Sequence, residues 1–222
     1  MMTQTRWWWI RHAPVTENNG TIYGNQDLNC DCSNEEAFKA LASVVPSDAI
    51  WVTSNLKRTK QTAEAVQNQM TASDFPSFTE IPELQEQCFG DWQGMTHKQL
   101  GEIRGEAWHR FWLAPAAEAP PGGESFEALM ERTSTAIDML NNTHKGRDII
   151  AVTHGGTIRA AVAKALGLTS EKALGLTIGN LSLTKLDHYG AEEDPIQAHS
   201  SWGVDCINAE PLRFHATKKA PQ

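Results

Sequence analysis

Three short apolar runs, far apart in the chain, each end in residues suited to gripping or attacking a phosphate group. Trp7-Trp8-Trp9-Ile10 leads into Arg11-His12. Ala49-Ile50-Trp51-Val52 leads into Thr53-Ser54, with Arg58 shortly after, and Ile149-Ile150-Ala151-Val152 leads into Thr153-His154-Gly155-Gly156. A phosphoryl group in transfer spreads its charge over several oxygens, so its site needs fixed positive donors more than covalent machinery. Arginine meets that need, because its planar fork binds two phosphate oxygens at once and never loses its charge. Arg11 and Arg58 both follow strand ends, Ser54 can add a hydroxyl, and the amides of Gly155 and Gly156 can add N–H donors where a helix opens. A nucleophile that is neutral near pH 7 is also required, and histidine, with an unperturbed pKa of about 6.5, qualifies. His12 directly follows Arg11, whereas His154 is placed to donate to the phosphate. The leaving alkoxide needs a proton, so a carboxylic acid should overhang the site; Glu83, Glu86, Asp91 and Glu124 are the candidates.

These residues converge only if the runs are neighbouring strands. Apolar stretches of this length, bounded by polar or glycine-rich turns, are strands buried on both faces of a parallel sheet. In open α/β sheets the ligand crevice lies beyond the carboxyl ends of the strands. Ser33-Asn34-Glu35-Glu36 opens a helix to about Val45, with a cap residue and early acids. A second helix spans about 56–70 on a stripe of Leu56, Ala63, Val66 and Met70, and a short strand falls near Phe78–Ile81. Helical period returns from Glu124 to about Asn142, and a helix from Thr157 to Leu166 ends at the C-capping Gly167. A final strand is expected at Leu181–Leu186, and the tail from about Arg213 is read as loosely ordered. The result is a single α/β domain over residues 1–222, three-layered, with a mainly parallel central sheet. Trp7, Trp8 and Trp9 are expected in the core, on alternating faces of the first strand.

Between Glu83 and Gly123 the pattern changes. Glycine, proline and tryptophan are frequent and core-like periodicity fades, so 83–123 is read as a lid-like insertion over the carboxyl edge. Trp108 and Trp112, four apart, are placed on one helical face. They serve either as satellite core packing or as a substrate wall, the second suiting a flat or apolar leaving group.

The chain has 222 residues with 40% hydrophobic and 21% charged, ordinary values for a soluble domain with one sizeable core. Its net charge of −8 disfavours nucleic acid or an anionic membrane as partner, yet an arginine pair can still set the field inside a pocket. The apolar runs are far shorter than the ~20 residues a spanning helix needs, and residues 7–10 are too short for a signal-peptide core. Cys30, Cys32, Cys88 and Cys206 do not make a disulfide framework or a zinc knuckle, so they are read as reduced thiols of a cytoplasmic protein.

Five blocks in order resemble the histidine phosphatase superfamily, in its phosphoglycerate mutase-like branch. They are Arg11-His12-Ala13 with Asn18; Ser54-Asn55-Leu56-Lys57-Arg58-Thr59-Lys60-Gln61-Thr62-Ala63; Leu84-Gln85-Glu86 through Gly90-Asp91-Trp92-Gln93-Gly94; Pro121-Gly122-Gly123-Glu124-Ser125; and Val152-Thr153-His154-Gly155-Gly156. The resemblance implies that His12 becomes phosphohistidine and that Arg11, Arg58, His154 and Asn18 hold the phosphate. It implies that Glu86 is the general acid, later the base on water, and that no metal or organic cofactor is needed. The third and fourth blocks are similar to those of α-ribazole phosphatase-like and broad-specificity members. One departure is plain: the glycine after the nucleophile is Ala13, expected to narrow the pocket or shift the loop.

The expected function is hydrolysis of a small-molecule phosphate monoester. A phosphoglycerate mutase-type transferase is the alternative, disfavoured by the short insertion, and a silent phospho-ligand binder is the second. His97, His109, His144, His188, His199 and His215 are read as surface or packing residues. Neither the substrate nor a homodimer is fixed by the sequence.

Overall fold

The structure, a computed structural model, describes residues 3–70, 77–107, 109, 112–190 and 201–212. Trp108, His199, His215 and the tail from Arg213 onward lie outside the described residues.

Six strands form one sheet: β1 (Thr3–Arg11), β2 (Ile50–Thr53), β3 (Thr79–Glu80), β4 (Asp148–Thr153), β5 (Leu183–Gly190) and β6 (Ser201–Ala209), in the order β3-β2-β4-β1-β5-β6. β3, β2, β4 and β1 pair in parallel, while β5 runs antiparallel to both β1 and β6. The helices are α1 (Glu35–Val44), α2 (Lys57–Gln67), α3 (His97–Arg104), α4 (Phe126–Thr143), α5 (Gly155–Leu166) and α6 (Ser170–Leu174). Within the run read as a helix start, Asn34 caps α1, its side chain accepting from the Ala37 amide. Gly167 ends α5 in the left-handed conformation that a residue without Cβ adopts at no steric cost.

The sheet is covered on both sides. Phe38 and Leu41 of α1 and Ala63 and Val66 of α2 pack on Ile10, Trp51, Ile150 and Val152. Ala136, Ile137 and Leu140 of α4 and Ile158, Ala161 and Val162 of α5 pack on Trp7, Trp9, Val52, Ile149 and Ala151. Trp7 and Trp9 stack with ring centroids 4.8 Å apart, and the Trp7 indole N–H donates to Asn141 Oδ1. Trp8 departs from the expected full burial. It faces the other side half-exposed, donating to Asp148 Oδ1 with Lys185 over its ring.

β1 and β4 are hydrogen-bonded neighbours, yet the chain leaves β1 toward the α1/α2 face and β4 toward the α4/α5 face. That divergence is a topological switch point, where the carboxyl ends of an α/β sheet open a crevice. The residues immediately beyond the two strands are His12 and His154.

Three elements were not expected from the sequence. α3 falls within the stretch read as an insertion and buries Leu100 alone. α6 has only five residues. β6 is an edge strand, half-exposed over 202–209 except at the exposed Asp205. Trp112 lies in a bend after α3, not on a helix.

Candidate active site

His12 is 1% exposed, and its amide donates to Thr153 O, extending the β1–β4 pairing past the strand end. Its Nδ1 lies 2.6 Å from Ala13 O. A carbonyl only accepts, so the network assigns the ring proton to Nδ1 and leaves Nε2 with a free lone pair. Burial, then the charges of Arg58 and Arg11, hold the His12 pKa well below its ordinary 6.5. His12 is therefore kept neutral by its surroundings. Asn180 Nδ2 donates to His12 O, and Thr62 Oγ1 accepts from the Ala13 amide, so the backbone is fixed on both sides of the ring.

The His154 ring stands 5.2 Å from that of His12, centroid to centroid. Its Nδ1 accepts from Arg58 Nε at 3.3 Å, which puts the proton on Nε2, 2.8 Å from Ser54 Oγ. Burial first, then Arg58, His12 and Arg11, also lower the His154 pKa well below 6.5. Ser54 is fully buried, and its hydroxyl additionally accepts from the Leu56 amide. It orients His154 from beneath; the phosphate contact expected of Ser54 is not the one this geometry favours.

Arg58 sits in the first turn of α2 with 0% exposure. NH2 donates to Gly24 O at 2.7 Å and NH1 to Gln26 O at 2.5 Å, so three of the five guanidinium protons are taken. Arg11 spends NH1 on Ile178 O, while its shielded Nε has no partner among the described residues. An unpaired buried donor is costly, and a phosphate oxygen would relieve it. Asn18 lines the same cleft, where its amide closes a turn onto Thr21 O.

Glu86 completes the cleft wall. Oε1 accepts from the Gln87 amide at 3.0 Å and the Gly156 amide at 3.1 Å. The Gly156 amide, expected to face the phosphate, is thus directed to the carboxylate, and a Cβ at 156 would collide with Glu86 Oε1. The Gly155 backbone lies against the Arg11 side chain. The other candidate acids are elsewhere: Glu83 and Asp91 are exposed, and Glu124 is ion-paired to Arg132 at 2.7 Å.

Arg132 escaped the sequence reading. From α4 it donates to the carbonyls of Glu83, Gln85 and Glu86, while Thr157 Oγ1 donates to those of Leu84 and Gln85. The only sequence signal was an arginine beside the buried stripe of α4. Asn180, Thr62 and the Gly24 and Gln26 carbonyls gave none. Ala13, by contrast, does not line the cleft: its methyl is buried with Ile10 and Phe38, and its backbone is not left-handed. The expected narrowing is absent. Among the described residues, no three His, Cys, Asp or Glu side chains converge as a metal cage.

The signature of the histidine phosphatase superfamily (branch 1) matches residues 7–197, and the chain belongs to that superfamily. A metal-independent phosphoserine phosphatase of Arabidopsis thaliana is 38% identical over 68% of this chain; the match spans 64% of that protein, less than two thirds. An adenosylcobalamin/α-ribazole phosphatase of Escherichia coli is 28% identical over 75% of this chain and 81% of its own. A solved mycobacterial glucosyl-3-phosphoglycerate phosphatase, in complex with VO3, superposes with a TM-score of 0.74 at 26% identity, covering 92% of this chain and 98% of that one.

Proposed function

We propose that the protein hydrolyses a small-molecule phosphate monoester through a phosphohistidine on His12. The observation carrying this reading is the His12 ring: Nδ1–H is committed to Ala13 O, and Nε2 is left bare beside Arg11, Arg58 and His154.

In the first step Nε2 attacks phosphorus in line, the phosphorus–oxygen ester bond breaks, and Glu86 gives its proton to the departing alkoxide. Arg11 Nε, the remaining Arg58 protons and His154 hold the phosphoryl oxygens as negative charge redistributes. In the second step water attacks phosphorus, the phosphorus–nitrogen bond breaks, and the Glu86 carboxylate takes the water proton. Both His12 and Glu86 return to their starting forms. No metal is needed in this sequence, because two guanidinium groups supply the charge.

The expected substrate partner is a free metabolite-sized ester, not nucleic acid or membrane, and reduced Cys30 and Cys32 fit a cytoplasmic setting. The similarity to an α-ribazole phosphatase makes α-ribazole 5′-phosphate one individual candidate, beside phosphoserine from the similarity to a phosphoserine phosphatase. The test is phosphate release in EDTA by wild type and His12→Ala, with quenching in alkaline detergent during turnover. Release by wild type alone, with an acid-labile phosphoprotein, supports the reading. Transfer to a second alcohol in place of water would instead support a mutase, and no reaction at all a silent binder.

A further inference from the structure

Cys30 and Cys32 lie on the loop that runs from the carbonyls holding Arg58 to the start of α1. Their sulfurs stand 3.7 Å apart, both residues half-buried against the core cluster beneath α1 and α2. The proposed reaction uses neither thiol. The other two cysteines lie in distant parts of the chain, where Cys88 is directed to Gly122 O and Cys206 to Leu183 O.

The pair is linked to the reacting centre on two sides. The Cys30 thiol donates to Arg58 O at 3.3 Å and lies 3.5 Å from Thr62 Oγ1, the atom that accepts the Ala13 amide. Asp31, the residue between the cysteines, donates its amide to Pro14 O at 2.8 Å. The two residues after His12 are thus both tied to this short segment. The two thiols also differ in reactivity. Hydrogen bonding from Cys32 first, opposed by partial burial, and then Thr62 and the Arg58 charge bring the Cys30 thiol down to about 7. The same contact, with burial, pushes Cys32 up. An attacking thiol works best with its pKa near the ambient pH.

We propose that Cys30 and Cys32 form a modification site for small dialkyl disulfides, closing into an internal disulfide that pulls on the hydrogen bonds at Ala13 and Pro14. The Cys30 thiolate attacks one sulfur of the reagent, whose S–S bond breaks and whose other half leaves as a thiolate and takes up a proton. The Cys32 thiol then gives up its proton and attacks the Cys30 sulfur of the mixed disulfide, expelling the second half. Two protein thiols are oxidised, and one disulfide is reduced to two thiols. Residues two apart span at most about 7 Å, and a disulfide holds its Cα atoms about 4.4–6.8 Å apart, so the bridge is within reach. The sulfurs must close from 3.7 Å to about 2.05 Å, which draws Cys30 off Arg58 O and Thr62 and bends the chain at Asp31. Strained or exposed disulfides are the labile ones, and a thiol reductant reopens this one.

The test treats the reduced full-length protein with 2-hydroxyethyl disulfide and maps the thiols by alkylation and mass spectrometry. Wild type should lose two hydrogens from the peptide holding Cys30 and Cys32. Cys32→Ser should stop at a mixed disulfide on Cys30, and Cys30→Ser should leave Cys32 free. Amide exchange at Ala13, followed by NMR, should quicken severalfold in the closed form and return with dithiothreitol. Under the phosphatase reading kcat should also fall severalfold on closure, while Cys30→Ser keeps its turnover through the treatment. A pair that stays open, a closed pair with unchanged Ala13 exchange, or turnover that ignores closure or falls equally in Cys30→Ser overturns the inference. No phosphate release from the reduced wild type removes the phosphatase reading alone, because the cross-link and the exchange are read without it.

Discussion

His12 and His154 face one another across 5.2 Å, each ring held by a hydrogen bond that fixes where its proton sits. Ala13 O takes the Nδ1 proton of one, and Ser54 Oγ receives the Nε2 proton of the other. Arg58 reaches the second ring directly and lowers the pKa of both. Two uncharged imidazoles beside guanidinium groups make a pocket whose positive charge is permanent and whose histidines remain unprotonated.

The pH dependence of stability follows. Both histidines have folded pKa values below the ordinary 6.5, so near and below that pH the unfolded chain binds protons that the folded chain does not. Their contribution is fully present above about pH 6.5 and is lost as pH falls toward the folded values. Urea denaturation at pH 7.5 and 5.5 should show a lower unfolding free energy at 5.5. Ring ¹⁵N shifts should keep His12 and His154 neutral through pH 6.5. A free enzyme whose two rings titrate at 6.5 would contradict the burial argument.

Arg58→Ala should fail twice. In the proposed reaction the phosphate loses a guanidinium, which at a site of this kind costs roughly 10² or more in kcat. The carbonyls of Gly24 and Gln26 and the His154 Nδ1 also lose their donor inside the protein. Unsatisfied buried groups cost about 1–3 kcal/mol each, so a clear drop in melting temperature is expected alongside inactivity. Thermal unfolding monitored by circular dichroism, with a parallel activity assay, separates the two losses.

Arg132 acts through the Glu86 loop. Arg132→Lys keeps a charge but cannot serve Glu124 and the carbonyls of Glu83, Gln85 and Glu86 together. If it positions the acid, kcat for an alkyl phosphate should fall by more than kcat for p-nitrophenyl phosphate, whose leaving group needs less protonation. Glu86→Gln should show the same asymmetry more strongly, about 10²–10⁴ on the alkyl ester. Equal losses on both esters would reduce Arg132 to a structural role.

Ala13→Gly tests whether the departure at that position selects substrates. Because the methyl is buried in the core away from the cleft, its removal should cost on the order of 1 kcal/mol. The ranking of substrates should not move. A reordered substrate panel would show that the loop, not the core, senses this residue.

The sheet was legible where physics leaves a local mark. β1, β2 and β4 are unbroken apolar runs because both their faces are covered, and Asn34 and Gly167 punctuate helices by capping chemistry. β6 escaped because an edge strand of mainly half-exposed residues has no such run. α3 buries a single leucine, too little for a periodic stripe. At the site, His12, Arg11, Arg58, His154 and Glu86 were legible from strand ends and motif order. Arg132 and Asn180 were not, since their partners are backbone carbonyls distant in sequence, and a carbonyl has no residue type to betray it. The hydroxyl of Ser54 lies against His154, but its side of the imidazole depends on a three-dimensional turn.

His12 and His154 hang from adjacent strands whose ladder continues one residue past β1. The spacing between paired strands, about 4.8 Å, is a property of backbone hydrogen bonding and varies little with sequence. It serves as a ruler for the reacting centre. The aromatic wall of the cleft, in contrast, comes from residues outside the sheet, around Tyr23 and between Phe89 and Leu113. The histidine pair and that wall thus hang on separate parts of the chain. Grafting those outer segments from another member of the superfamily should exchange preference as a unit while the histidine pair keeps its distance.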